Sequence, residues 1–165
     1  MRSLVPEALT ADAFAPFGEV IEVRPDRERA INAGTCRKYA DLARMELDGS
    51  GGRAALHLYR ATPLPVPIVV RMLERHNLGT QAFFPLDGRP YLVVVAPPGP
   101  APADTAIRVF RARGDQGVNY RRGTWHHFCL ALEAESRFLV VDRDSPEPDC
   151  DEIELPPERQ FAITA

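Results

Sequence analysis

An all-β barrel or sandwich is the fold class this chain predicts, on three observations. Proline and glycine supply 16 and 11 of the 165 residues, interrupting the chain too often for long helices. Between the interruptions lie short runs rich in β-branched and aromatic residues, at Arg53–Tyr59, Pro67–Leu73, Tyr91–Val95, Ile107–Ala112 and Arg137–Val141. Regularly spaced short strands of this kind close into barrels or pack as paired sheets. Third, only two segments read as helix, and neither could frame a bundle.

Taken in order, the first helical segment follows Thr10, whose hydroxyl can cap the N–H groups of Ala11–Phe14 before Pro16 and Gly18 end the turn. Residues 68–76 read as a strand, Asn77–Thr80 as a turn, and Gln81 as the start of the returning partner strand. Residues 97–104, PPGPAPAD, and 144–152, DSPEPDCDE, carry no apolar periodicity and read as surface loops. The second helical candidate is Pro157–Gln160. No linker or repeat interrupts the chain, so residues 1–165 are expected to form one domain.

Composition narrows the function classes. With 45% hydrophobic and 26% charged residues and a net charge of −3, the chain has no electrostatic footprint for nucleic acid or anionic lipid. No apolar run matches a signal peptide or a membrane span, which predicts a cytoplasmic protein acting on a small molecule. Cys36, Cys129 and Cys150 are odd in number and lack C-x-x-C spacing, so neither a disulfide framework nor a zinc knuckle is expected. The alternating charges of RPDRER, with Arg24, Arg27 and Arg29, read as a solvated loop, as do Arg121 and Arg122.

The chemistry concentrates in LERHNLGTQAFFPLDG, residues 73–88, where Glu74, His76, Gln81 and Gly88 stand at the spacing E-x-H-x4-Q-x6-G. Side chains two apart on a strand share a face, so Glu74 and His76 project inward together while Arg75 projects outward. A second string, QGVNYRRGTWHH, residues 116–127, ends in Gly123-x-x-His126. Both spacings resemble the two signatures of the cupin β-barrels, H-x-H-x3–4-E-x6-G and a G-x-x-H ending, with two ligand positions changed in chemistry. The resemblance implies a cupin-like double-stranded β-helix, a jelly-roll barrel with few short helices. Glu74, His76, Gln81 and His126 then converge as a mixed nitrogen and oxygen set suited to a first-row divalent ion, though the neutral Gln81 is a weaker donor than a carboxylate. Adjacent strand residues face opposite ways, so His126 and not His127 is expected inside, and Trp125 reads as a volume-filling aromatic.

At the level of whole segments, INAGTCRKYADLA (31–43), LERHNLGTQAFFPL (73–86), LVVVAPPG (92–99), QGVNYRRGTWHH (116–127) and FLVVDR (138–143) resemble, in this order, the ureidoglycolate lyase family of allantoin degradation. The resemblance implies a homodimer that cleaves (S)-ureidoglycolate to glyoxylate and urea. It also implies that a divalent metal is to be looked for, nickel in the first place.

That reaction suits the residues. Ureidoglycolate carries hydroxyl, carboxylate and ureido nitrogen on one carbon, so elimination needs a base for the hydroxyl proton and an acid for the departing nitrogen. Glu74 or His126 is the candidate base, and His76 the candidate ligand or acid, with apolar walls expected to raise the carboxyl pKa. The substrate carboxylate wants a cation, for which Lys38, Arg37, Arg60 and Arg71 are candidates. The ureido group could meet the amides of Asn32, Gln81 or Asn119 and the hydroxyl of Tyr39 or Tyr120, although Asn32, close to Gly34, is also the most turn-like of these. Two other classes compete: an amidohydrolase releasing ammonia from the same substrate, and a non-enzymatic barrel that binds small acids.

Overall fold

In the computed structural model, which describes residues 1–164, two large sheets face each other and a small third sheet covers the back of one of them. The five-stranded sheet runs in the order Gly18–Ile21, Gly117–Tyr120, Gln81–Pro85, Ser136–Asp144, Arg53–Ala61. The larger sheet includes Asp151–Glu154, Met72–Arg75, Trp125–His126, Tyr91–Ala96 and Arg108–Ala112 in that order. This is the expected all-β, cupin-like architecture, and among the described residues no helix is long and apolar enough to cross a membrane.

The run Tyr91–Ala96 shows why the fold has two cores. All six residues are buried, which a strand achieves only when both faces of its sheet are covered. Tyr91, Val93 and Val95 point between the two large sheets, against Phe83, Val118, Phe138 and Val140 of the opposing sheet. Leu92, Val94 and Ala96 point the other way, toward Ile68, Val70, Phe161 and Ile163 of the small sheet. Trp125 belongs to this second core, with Nε1 donating to the Gly99 carbonyl at 3.1 Å and the Arg75 guanidinium 4.4 Å from its ring centroid.

The single α-helix among the described residues is Ala11–Phe14, capped by the Thr10 hydroxyl, which accepts from Ala13 N–H at 3.2 Å; it drives Phe14 into the inner core. Three expectations are corrected. The strand over 68–76 is broken: Ile68–Val70 pairs in the small sheet and Met72–Arg75 in the large one, with Arg71 at the handover and its carbonyl accepting from Leu155 N–H at 2.7 Å. The polar 144–152 segment is not loop throughout, because its end starts the strand Asp151–Glu154, an exposed edge that needs little apolar patterning. Pro157–Gln160 forms a turn and not a helix, with Arg159 and Gln160 N–H both donating to the Pro156 carbonyl.

Candidate active site

Between the large sheets, at one end of the inner core, lies a cavity of about 660 Å³ whose wall includes Glu74, His76, Gln81, Asp142, Tyr59 and Phe83. Strand parity places these groups. Phe138 and Val140 point inward, so Asp142 does too, and the register pairs Val140 with Phe83 and Phe138 with Tyr59. In the opposing sheet, Glu74 sits directly across from His126, so both side chains leave the same face.

Glu74, His76 and His126 offer ligand atoms that all lie within 4.8 Å of one another. The two imidazoles are held alike. Nδ1 of His126 donates to the Thr124 carbonyl at 3.0 Å, and Nδ1 of His76 donates to the Asp149 carbonyl. Each ring is thereby fixed in the tautomer that leaves Nε2 with a lone pair, and both Nε2 atoms are buried without a hydrogen-bond partner. Tyr120 stacks on His126 at 4.2 Å and 14°, which fixes the ring plane. His126 Nε2 faces Glu74 Oε1 at 3.4 Å, too long for a good hydrogen bond, and two lone pairs so placed repel unless a proton or cation lies between.

A third buried acceptor joins them. Gln81 Nε2 donates to Asp142 at 3.2 Å, so its Oε1 is left free, and this atom too is buried without a partner. Asp142 also bonds His57 Nε2 at 3.0 Å. Three orphaned acceptors beside a carboxylate fit a divalent cation, with Glu74, His76 and His126 as ligands and Gln81 as a weaker fourth.

Burial alone would raise the Glu74 carboxyl, as expected, but a hydrogen bond and charge from His126, and charge from His76 and His127, outweigh it when those rings carry a proton and hold the group below the ordinary carboxylate range. Glu74 is therefore a standing anion at neutral pH, which corrects the expected direction. Burial lowers His127, which is not on the cavity wall and sits tilted against the Phe128 ring.

The structure thus brings Glu74, His76, Gln81 and His126 together, sets Arg60 on the cavity wall, and leaves the remaining expected residues elsewhere. Asn119 shares parity with Ala82 and points out of the barrel, where its amide donates to Glu19 and to the Arg44 carbonyl. Tyr120, its inward neighbour, is a stacking wall whose phenol burial pushes far up. Arg71 is exposed at the sheet handover and does not line the cavity. Asn32, Lys38 and Tyr39 sit on a projecting hairpin, Glu28–Ile31 with Cys36–Tyr39, and none of them lines the cavity of its own chain. Asp142 was missed by sequence reasoning, yet the alternation Phe138, Val140, Asp142 in FLVVDR is a signal that places it inside.

A β-barrel holding a carboxylate, two tautomer-fixed imidazoles and an amide oxygen in one polar cavity defines an enzyme class of small-molecule acid–base or metal-assisted chemistry. The model of the ureidoglycolate lyase family matches residues 1–162. A ureidoglycolate lyase of Azotobacter vinelandii is 51% identical over 152 residues, 92% of each chain, and one of Stutzerimonas stutzeri is 48% identical over 163 residues, 99% of this chain and 96% of its own. One of Brucella melitensis is 52% identical over 153 residues, 92% of this chain and 89% of its own. Among solved structures, a dTDP-sugar isomerase of Desulfovibrio desulfuricans matches with a TM-score of 0.44 and 18% identity over 86% of each chain. The chain belongs to the ureidoglycolate lyase family.

Proposed function

We propose that this protein is a carbon–nitrogen lyase that cleaves (S)-ureidoglycolate to glyoxylate and urea. Family membership supports the substrate, and one observation supports the chemistry: an ionised carboxylate stands beside two imidazoles whose Nε2 atoms are buried and unpartnered. In this reading Glu74, held as the anion, accepts the hydroxyl proton of the substrate. The electron pair of that O–H bond forms the new carbonyl, the carbon–nitrogen bond breaks, and its pair leaves on the urea nitrogen. The proton taken by Glu74 passes to the lone pair on His76 Nε2, which lines the same cavity, and from there to that nitrogen. The proton count closes with one taken from oxygen and one given to nitrogen, and no covalent intermediate forms.

His126 lies behind Glu74 and orients it through a proton or cation held between Nε2 and Oε1, and Gln81 presents its free Oε1 to a ureido N–H. A divalent ion, nickel among the candidates, would be held by Glu74, His76 and His126, and when bound it would supply Lewis acidity toward the substrate's hydroxyl and carboxylate oxygens. The same reading has the enzyme act in the cytoplasm as a homodimer on a soluble small acid.

Product analysis tests the proposal. Purified protein free of urease, given racemic ureidoglycolate with and without a chelator, is expected to release urea and glyoxylate in equal amounts from half of the substrate. Ammonia in place of urea would instead establish the amidohydrolase, and glyoxylate binding without turnover would establish the small-acid binder. Loss of activity in chelator, restored by added metal, would place the ion in the reaction.

A further inference from the structure

Among the described residues, the cavity wall carries no free cation for a substrate carboxylate. Arg60 is the arginine on its wall, and it is already committed to Glu135 at 2.5 Å, while the nearby charges of Glu74 and Asp142 are acidic. Of the other cations that sequence reasoning assigned to this task, Arg71 lies at the sheet handover, and Arg37 and Lys38 stand on the projecting hairpin. Every residue from 28 to 38 is exposed, and the two strands of this arm pair only with each other. A two-stranded hairpin with no cover is marginal in water, so this arm is built to lie against something.

The two faces of the arm differ. On one, Glu28 takes the Tyr39 hydroxyl at 2.9 Å and Arg37 at 3.6 Å, so the charges are satisfied. On the other, Arg29 registers directly opposite Lys38, beside the half-exposed Ile31, and neither cation has an ion-pair partner among the described residues. Like charges opposed across a hairpin repel, an arrangement that an incoming anion relieves.

A second surface points the same way. The outward face of the five-stranded sheet carries cross-strand rows Leu58, Leu139, Phe84 and Leu56, Val141, Ala82, with Leu56 and Leu58 67% and 68% exposed. Both leucines lie on Arg53–Ala61, a nine-residue edge strand whose far end, from Tyr59 on, forms the rim of the cavity. The chain leaving the arm, through Leu42, Ala43 and Met45, lies over the neighbouring part of this same face. Two copies packed on it about a two-fold axis would each extend an arm along the other's edge strand toward the cavity mouth.

We propose that the arm of a second copy completes the active site, presenting Arg29 and Lys38 to the substrate carboxylate in the partner's cavity. This rests on the function proposed above for its substrate, but not for its geometry. The arm variant Arg29→Ala/Lys38→Ala is expected to raise KM about tenfold or more, as loss of a charge-assisted contact does. Glu74→Gln lowers kcat. Differently tagged chains of the two variants, co-expressed and purified as the mixed dimer, pair one native arm with one native cavity and, assayed at substrate well below the wild-type KM, are expected to recover about half of the wild-type activity, against about a tenth for the arm variant alone. A mixed dimer no more active than its parents, an arm variant with unchanged KM, or a wild-type protein that sediments as a monomer would overturn the proposal.

A readout independent of turnover separates failure of the arm from failure of the reaction. Cys36 lies on the same arm face as Lys38, and Cys150 lines the cavity. A short bismaleimide is expected to link the two between copies, giving a covalent dimer lost in both Cys36→Ser and Cys150→Ser. If the covalent dimer fails to form, or persists in Cys150→Ser, the arm does not reach the partner's cavity, whatever the protein's substrate.

Discussion

Glu74 and His126 owe their meeting to register: they are the paired residues of two strands, and neither could move by one position without leaving the barrel interior. Glu74→Gln keeps the shape and removes the anion, so turnover is expected to fall roughly 100-fold or more with thermal stability nearly unchanged. Asp142 acts one contact away from the chemistry. Its bond to Gln81 decides which end of that amide faces the cavity, and in Asp142→Asn a neutral amide can itself donate and turn the Gln81 group around. Steady-state kinetics of this variant are expected to show a several-fold rise in KM with a smaller change in kcat, the effect of about one hydrogen bond. Glu74, His76, Gln81 and His126 were legible because strand alternation and signature spacing both act within one strand pair. Asn119 was not. The sequence offered Asn119 and Tyr120 as neighbours of which only one could face inward, and nothing local said that the aromatic would take the stacking place against His126.

At the scale of elements, the edge strand Gly18–Ile21 holds its partner Gly117–Tyr120 so closely that a Cβ at Gly18 would stand 1.8 Å from the Asn119 carbonyl oxygen. Backbone atoms cannot yield as a flexible side chain does. Gly18→Ala is therefore expected to lower stability by about 1–3 kcal/mol or more, read as a lower midpoint in chemical denaturation, and to blur the Tyr120 wall behind His126. The buried strand Tyr91–Ala96 was readable as a continuous apolar run, and the capped turn Ala11–Phe14 from its Thr10. The break at Arg71 and the strand Asp151–Glu154 were not, because both depend on contacts about eighty residues apart that leave no local pattern. The same strand region positions the site: Asp149 offers its carbonyl to His76 and its carboxylate to the N–H groups of Asn77 and Leu78, both at 2.7 Å.

For the molecule as a whole, the barrel wall is tied at its surface by Asp87, whose carboxylate takes Arg137 through both guanidinium and backbone N–H and is held down to about 2. A group depressed in the folded state contributes stability above its ordinary pKa of 3.8 and loses it as pH falls through that value toward 2. Acid unfolding is thus expected to steepen between those limits, and Asp87→Asn should flatten that part of the pH profile, as followed by circular dichroism. The arm is the feature that a single chain leaves unexplained, since none of the described residues covers residues 28–38. The sequence offered Lys38 to the substrate by chemistry, and the structure places it on this arm, away from the cavity of its own chain.

The central claim is that Glu74 and two imidazoles, joined in one cavity from distant segments, perform a urea-releasing elimination. Its most direct test is parallel quantification of urea, ammonia and glyoxylate from ureidoglycolate by the wild-type protein and by Glu74→Gln at equal folded concentration. Equal yields of urea and glyoxylate from the wild type, with the variant roughly 100-fold slower, are the predicted result. Ammonia replacing urea, or a variant as fast as the wild type, would contradict it.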